Sequence, residues 1–238
     1  MKKILVFLIA KFSILGCLKA DDADYSKNQV VESFIELFPN EKDALSTALQ
    51  ENLIESNALT APLRRIYPDF AKALMSAADD PSVGIDQLSK LSNTEDNFLE
   101  AESLYYLSRL LIGEGRYEES LPNLEKIRIK LKNNTLRYGE VLYYKGLCYS
   151  NMLQRTAASD SLNDFVDNFP DESPRLIGAA LDIIASLERV NRGSIDDVAT
   201  HMEFSRRKLD LEDVGENTQV AQGKIVEMLD ELIKRAEE

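Results

Sequence analysis

The sequence predicts an all-α protein in which helices pair into hairpins and the hairpins stack along the chain. Apolar residues recur at helical spacing between prolines, glycines and asparagines, and no segment alternates like a β-strand. A tyrosine-containing stretch also occurs twice, with an offset of 38 residues from Tyr105 to Tyr143. Glycine and proline are few, 10 and 7 of 238 residues, which suits long helices with short connections.

The first twenty residues have the pattern of a secretory signal. Lys2 and Lys3 precede an apolar run over residues 4–10, and the run resumes after Lys11. A membrane-spanning helix needs about 20 apolar residues, and this interrupted run is too short. We therefore expect an exported protein, periplasmic or secreted, although an uncleaved N-terminal anchor stays an alternative. No later apolar stretch is long enough to predict a transmembrane span.

Two cleavage sites compete within this signal. Cleavage after Ala20 would release a soluble protein that starts at Asp21, and this is the slightly preferred prediction. Residues 14–17 resemble the bacterial lipoprotein signal, which implies cleavage before Cys17 and lipidation of its thiol. Lipidation would attach the protein to a membrane face.

Charge restricts the class of partner. The chain has 28 basic and 41 acidic residues, a net charge of −13, and removal of the four signal lysines leaves −17. Such a surface repels nucleic acid, and it disfavours broad contact with anionic lipid. It suits cationic partners, although solvated helix faces with no partner selected by charge are the preferred explanation. After export Cys148 stands alone, so the core must hold the fold without an internal disulfide.

The N-terminal part is punctuated by helix-breaking residues. An apolar repeat over residues 30–38 is followed by Asn40, which is predicted to cap the next helix. Pro62 opens a short segment that Pro68 is predicted to break or kink. Asp80 precedes a proline, which is typical of a helix cap and first turn.

The central and C-terminal helices follow from the same signals. Consecutive helices are predicted over residues 95–112, 117–132, 136–152, 157–169 and 174–193. Ser194 with Asp197 resembles a capping box for a helix that ends near residue 208. Thr218 is predicted to cap a last helix through Ala236.

The duplicated stretch indicates a repeat. Residues 100–106 align with residues 138–144, and the offset is close to the period of about 34 residues in tetratricopeptide repeats. Residues 115–120, GRYEES, match the turn and second-helix start of that family. In the second unit the family's small, aromatic and closing positions are matched by Gly146, Tyr149, Ala158 and Pro170.

On these motifs the chain resembles tetratricopeptide-repeat proteins of the exported bacterial type. The resemblance implies an α-solenoid of tetratricopeptide-like helical hairpins with flanking helices. Clear matching covers about residues 101–170. The sequence departs from the family pattern at four positions, Ser108, Lys132, Lys145 and Thr156.

The resemblance also implies a binding surface, because the first helix of each repeat lines the concave face. The positions concerned are Glu102, Tyr105, Arg109 and Ile112 in the first unit, and Glu140, Tyr143, Leu147, Ser150 and Asn151 in the second. Tyr105 and Tyr143 suit peptide binding, since tyrosine offers contact area and a polar tip at low entropic cost. They suit internal packing equally well. Arg109 alone does not form the peptide-carboxylate clamp known in relatives.

Signals of catalytic chemistry are weak. His201 is the only histidine, so no histidine pair can bind a metal, and Cys148 lies in an apolar helix as a small buried residue would. We predict no catalytic residue, metal or cofactor. The preferred function is a non-enzymatic protein- or peptide-binding adaptor or scaffold of the bacterial periplasm or envelope. A structural subunit of an envelope assembly complex is the first alternative, and a carboxylate-dependent hydrolase is a more distant one.

The last helix has an apolar stripe with two interpretations. Its members are Ile225, Val226, Leu229, Leu232, Ile233 and Ala236. The stripe is predicted to cap the end of the solenoid, and self-association through a short coiled coil is the alternative. The chain is thus predicted to divide into four parts: the signal peptide 1–20 (or lipoprotein signal 1–16), an N-terminal helical region 21–93, the hairpins 94–209, and a linker with the capping helix 210–238.

Overall fold

A computed structural model describes residues 25–51 and 55–238. Within those ranges all regular structure is helical and no strand occurs, so the predicted all-α class is confirmed. The predicted signal peptide and Cys17 lie outside the described residues. No helix of the described part combines the length and the apolar character needed to cross a membrane.

The described ranges contain twelve α-helices. In chain order they are α1 (Lys27–Leu37), α2 (Lys42–Glu51), α3 (Thr60–Ile66), α4 (Pro68–Asp79), α5 (Pro81–Leu91), α6 (Asn97–Gly113), α7 (Tyr117–Lys126), α8 (Tyr138–Asn151), α9 (Arg155–Asn168), α10 (Pro174–Arg189), α11 (Ile195–Asp210) and α12 (Glu216–Glu237). Short 3₁₀ turns occupy Pro39–Glu41, Glu55–Asn57 and Lys132–Asn134, and a π turn, Ile127–Leu131, follows α7.

Some predicted helix starts are confirmed and others are wrong. The Asp80 carboxylate accepts a hydrogen bond from Ser82 N at 2.9 Å, and the Ser194 hydroxyl accepts one from Asp197 N at 3.2 Å, as caps do. Pro68 separates α3 from α4, so the predicted break of the helix at this residue is confirmed. Asn40 is not a cap, because it lies inside a 3₁₀ turn. Thr218 is not one either, because α12 begins two residues earlier.

Neighbouring helices form the packing units. From α4 to α10 each helix packs on the next one along the chain, and α11 packs on α12. Two apolar cores result, one formed by α1 to α6 and one by α6 to α10. Helix α6 supplies Leu107 and Leu111 to the first core and Leu104 and Tyr105 to the second. It is therefore the shared wall between the two cores.

Small residues permit the close approach of α8 and α9. A Cβ atom added to Gly146 would lie 2.5 Å from Leu162 Cγ, so only glycine fits there without movement. Ala158 on α9 is fully buried in the same seam. Gly115 turns the chain between α6 and α7 with φ of 73°, a conformation that favours glycine.

Candidate protein-binding site

The nine residues predicted to line a groove separate into two groups. Four of them, Glu102, Tyr105, Glu140 and Tyr143, are at most 7% exposed and lie inside the helical stack. The other five, Arg109, Ile112, Leu147, Ser150 and Asn151, are exposed or half-buried. The question left open for the two tyrosines has a structural answer: both pack internally.

Arg137, at the start of α8, organises the buried group. Its Nε donates to both carboxylate oxygens of Glu102 at 3.1 Å, and its Nη1 lies 3.5 Å from Glu140 Oε1. Its Nη2 donates to Thr60 Oγ1 at 2.8 Å and to the Tyr106 hydroxyl at 2.9 Å. Burial disfavours the charge on Arg137, but Glu102 and its other neighbours outweigh burial and raise its pKa. The two acidic groove candidates thus hold an internal cation.

The tyrosines extend this network. Tyr105 donates its hydroxyl to Glu140, and Arg109 Nη1 donates to the Tyr105 oxygen at 3.0 Å. Burial, and then Glu140, raise the pKa of Tyr105 well above its usual value, so its hydroxyl stays protonated. Tyr143 packs against Tyr144 and Phe165. These residues tie α6 to α8, and they reach no partner while the stack is closed.

Three of the five accessible candidates lie beside α11, at a first cleft of about 610 Å³. Ile112, Ser150 and Asn151 line it from the ends of α6 and α8. The opposite wall is one side of α11, from which Phe204 and Arg207 reach the cleft. Three of the nine predicted residues therefore meet at one open site.

A second cleft of about 940 Å³ lies on the other side of the α8–α9 turn. Its walls come from that turn, the end of α10, and one side each of α11 and α12. The two clefts share four lining residues, Ser150, Leu153, Thr200 and Phe204. They are therefore adjoining parts of one depression along α11.

An ion-pair clamp holds α11 over this depression. Arg207 donates to Gly115 O at 2.7 Å, to the Glu118 carboxylate at 2.9 and 3.0 Å, and to Asn151 O at 3.3 Å. Lys208 Nζ lies 3.3 Å from Glu118 Oε1. Burial raises the pKa of Glu118, but the hydrogen bonds it accepts and the charges of Arg207 and Lys208 together outweigh burial and hold that pKa below its usual value. The clamp ties α11 to the start of α7 and to the end of α8.

The second cleft has a basic rim. Arg192 and Lys224 line it, are exposed, and have no ion-pair partner among the described residues. Arg155 also lines this cleft, but its guanidinium already donates hydrogen bonds to the carbonyls of Leu187 and Val190 at the end of α10. Two available cations beside apolar walls suit a ligand that carries carboxylates.

His201 and Cys148 have structural environments. His201 is 7% exposed, and its Nδ1 lies 2.9 Å from Asp197 O, which can only accept, so Nδ1 carries the proton. Burial raises the pKa of the Cys148 thiol to about 12, so the thiol stays protonated at neutral pH. Cys148 is fully buried, as predicted for a small core residue.

Sequence reasoning missed Arg137, Glu118 and Arg207. Glu118 lies within the GRYEES turn, and Arg137 directly precedes the second repeat, so the repeat boundaries were the only available signals. Arg207 contacts Gly115, which lies 92 positions away along the chain. No local pattern predicts a contact of that kind.

No protein-family model matches this chain, and no curated protein or solved structure matches it either.

Proposed function

We propose that this protein is a non-enzymatic scaffold of the bacterial envelope, built on tetratricopeptide-like hairpins, that binds a peptide segment of a partner along α11. The observation that carries the proposal is the pair of adjoining clefts beside α11. Ile112, Ser150 and Asn151, which the repeat alignment selects as binding positions, line the first of them.

The clefts suggest the chemistry of the peptide. Leu153 and Phe204 offer apolar surface to both clefts, and Arg192 and Lys224 add positive charge at the second. A peptide with an apolar residue near one or two carboxylates would bury its side chain and pair its charge. The rest of this acidic protein would repel such a peptide, which favours binding at the clefts alone.

The first described residue, Tyr25, lies at the end of α8 opposite to the clefts. Tyr25 packs on Tyr138 at 5.0 Å and Phe169 at 5.8 Å between ring centroids, at the start of α8 and the end of α9. The clefts lie at the other end of α8, about 20 Å away for a helix of this length. If Cys17 is lipidated, it attaches the chain to the membrane eight residues before Tyr25. Cys17→Ser should then release the protein from the membrane fraction, whereas a chain cleaved after Ala20 should fractionate as before.

Selection from a peptide library displayed on phage tests the binding proposal. Thr200 lines both clefts, and Thr200→Glu should occupy them, repel the peptide's carboxylates and weaken selected peptides by about tenfold or more. Thr47→Glu is the matched control, because both threonines are exposed, lie on helices and donate to the carbonyl four residues earlier. Peptides that bind the wild-type protein and both variants equally would place binding elsewhere. Recovery of no peptide would refute the function.

A further inference from the structure

The outward side of the α11–α12 hairpin exposes a continuous apolar stripe. Its six members are Ile195, Met202, Leu209, Val226, Leu229 and Ile233, and each is at least 42% exposed. Together they account for a patch on the order of 500 Å², near the upper limit for the surface of a monomeric protein. A patch of that size indicates an interaction surface.

Helix geometry shows that both halves of the stripe lie on the same side. Ile195, Met202 and Leu209 are seven residues apart, so they share one face of α11. Thr200 faces the clefts, and Met202 two residues later points about 200° away from it at 3.6 residues per turn. Lys224 and Val226 are related in the same way on α12. The stripe therefore faces away from the clefts and from the rest of the stack.

The two helices are antiparallel, and this brings the stripe's halves together. Arg235 Nη2 donates to Gly193 O at 3.0 Å, so the last turn of α12 lies beside the start of α11. Ile195 is then near the level of Ile233, and Met202 is near the level of Val226. The outward side therefore holds two apolar pairs, Ile195 with Ile233 and Met202 with Val226. Met202 lies midway between Ile195 and Leu209 on α11.

We propose that a second copy of this chain covers the stripe, with its own hairpin docked antiparallel across a two-fold axis beside Met202. That axis sets Met202 against the partner's Met202, and Ile195 against the partner's Leu209. On α11, Ile195 and Leu209 are equally spaced on either side of Met202, so this half of the stripe is complementary to itself, as a two-fold interface requires. Two copies would bury on the order of 1,000 Å², the lower limit for a specific interface.

Charge favours this occupant over a lipid surface. The two helices carry nine acidic and six basic residues, and a net negative hairpin is repelled by anionic lipid. The interface also leaves both clefts open, so it is independent of peptide binding.

Sedimentation velocity over a wide concentration series tests the proposal. The wild-type protein should dimerise, and Met202→Glu should raise the dissociation constant by about tenfold or more. Met75→Glu is the matched control, because Met75 lies on α4, outside the hairpin, and is 63% exposed, close to the 55% exposure of Met202. The control should dimerise like the wild type.

Cross-linking adds a geometric check that does not depend on stability. In a Cys17→Ser background the remaining natural cysteine, Cys148, is buried. Mild oxidation should link Met202→Cys into a covalent dimer, since the two-fold axis places the two thiols together, and it should leave Met75→Cys monomeric. A monomeric wild type would overturn the proposal. So would a dimer unchanged by Met202→Glu, or flotation with lipid vesicles that Met202→Glu abolishes.

Discussion

The central helices and the C-terminal hairpin differ in what holds them. In α6 eleven of seventeen residues are buried, whereas in α12 only Thr218, Ala221 and Met228 of twenty-two are buried. The centre encloses an arginine, two carboxylates and several tyrosines whose polar groups bind one another. The hairpin joins neither apolar core, and it is fastened chiefly at one end by Arg207 and Lys208.

This difference indicates two levels of stability within one chain. Burial and mutually satisfied polar groups give the centre a high free energy of opening, because each broken contact would leave a buried group unpaired. The hairpin can open at its clamp and expose mainly surface that is already solvated. A binding site that uses α11 as a wall would then have a fixed side and an adjustable side.

The largest expected effect is on the centre. Arg137→Met should destabilise the protein by about 3–5 kcal/mol, because it leaves Glu102 and Glu140 buried without their cation. Chemical denaturation monitored by circular dichroism measures this. Arg206→Met is the control in the hairpin, since Arg206 pairs only with exposed acids on its own helix, and its unfolding midpoint should not move. Equal effects would contradict the two-level description.

A second effect separates a packed seam from an open helix face. Gly146→Ala should cost about 1–3 kcal/mol, because the added methyl group meets Leu162 between α8 and α9. Gly178→Ala on α10 is the control, since a Cβ there meets nothing within 4 Å. That control should gain up to about 1 kcal/mol from helix propensity. Thermal melts in which both variants lose stability would show that the seam is not the cause.

The sequence predicted the all-α class and most of the helices because prolines, caps and apolar periodicity act locally. It predicted that Gly146 and Ala158 are small for packing reasons, and both lie in the α8–α9 seam. It could not tell whether Glu102 and Tyr105 face a groove, because that depends on Arg137 and Thr60, which are distant in sequence.

The C-terminal stripe shows the same limit. Periodicity grouped six residues of α12 as one packing face. In the structure Ile225 and Leu232 are half-buried against the fold, whereas Val226, Leu229, Ile233 and Ala236 are exposed. The residues that pack most deeply include Thr218, whose hydroxyl donates to Asp213 O. An apolar stripe that is wider than a single helix–helix contact has two sides. Residue spacing alone does not say which side packs against the rest of the chain.

The third expected effect is confined to the hairpin. Glu118→Gln removes the charge that Arg207 and Lys208 bind, and it should lower the free energy of hairpin opening by about 1–2 kcal/mol. Amide hydrogen exchange should quicken in α11 and α12 and stay unchanged in α6 and α8. Glu119→Gln is the neighbouring control, because Glu119 pairs only with Arg116 on the surface. Faster exchange throughout the chain would mean that the hairpin and the centre open together.

The smallest expected effect is a dependence of the hairpin on pH. The pKa of Glu118 is held below its ordinary value of 4.5, so its contribution is complete above that pH and is lost as the pH falls below 4.5 through the folded value. Arg207 and Lys208 face Glu118, and Asp213, which also pairs with Lys208, has a pKa below its ordinary value and titrates within the same window. Wild-type amide resonances of α11 should therefore shift and weaken on acidification before those of α8 do.

Glu118→Gln tests the contribution of Glu118, because the substitution removes this one titrating group and leaves every other carboxylate in place. The variant's α11 resonances should already be perturbed at neutral pH and should change less below pH 4.5 than those of the wild type. Glu125 gives the internal comparison. Burial raises its pKa, but Arg128 and Lys145 together outweigh burial and lower it. Glu125 therefore titrates in the same window as Glu118, but it lies between α7 and α8. If Glu125→Gln removed the acid response of α11 equally well, the response would come from the centre, and Glu118 would not be the group that fastens the hairpin.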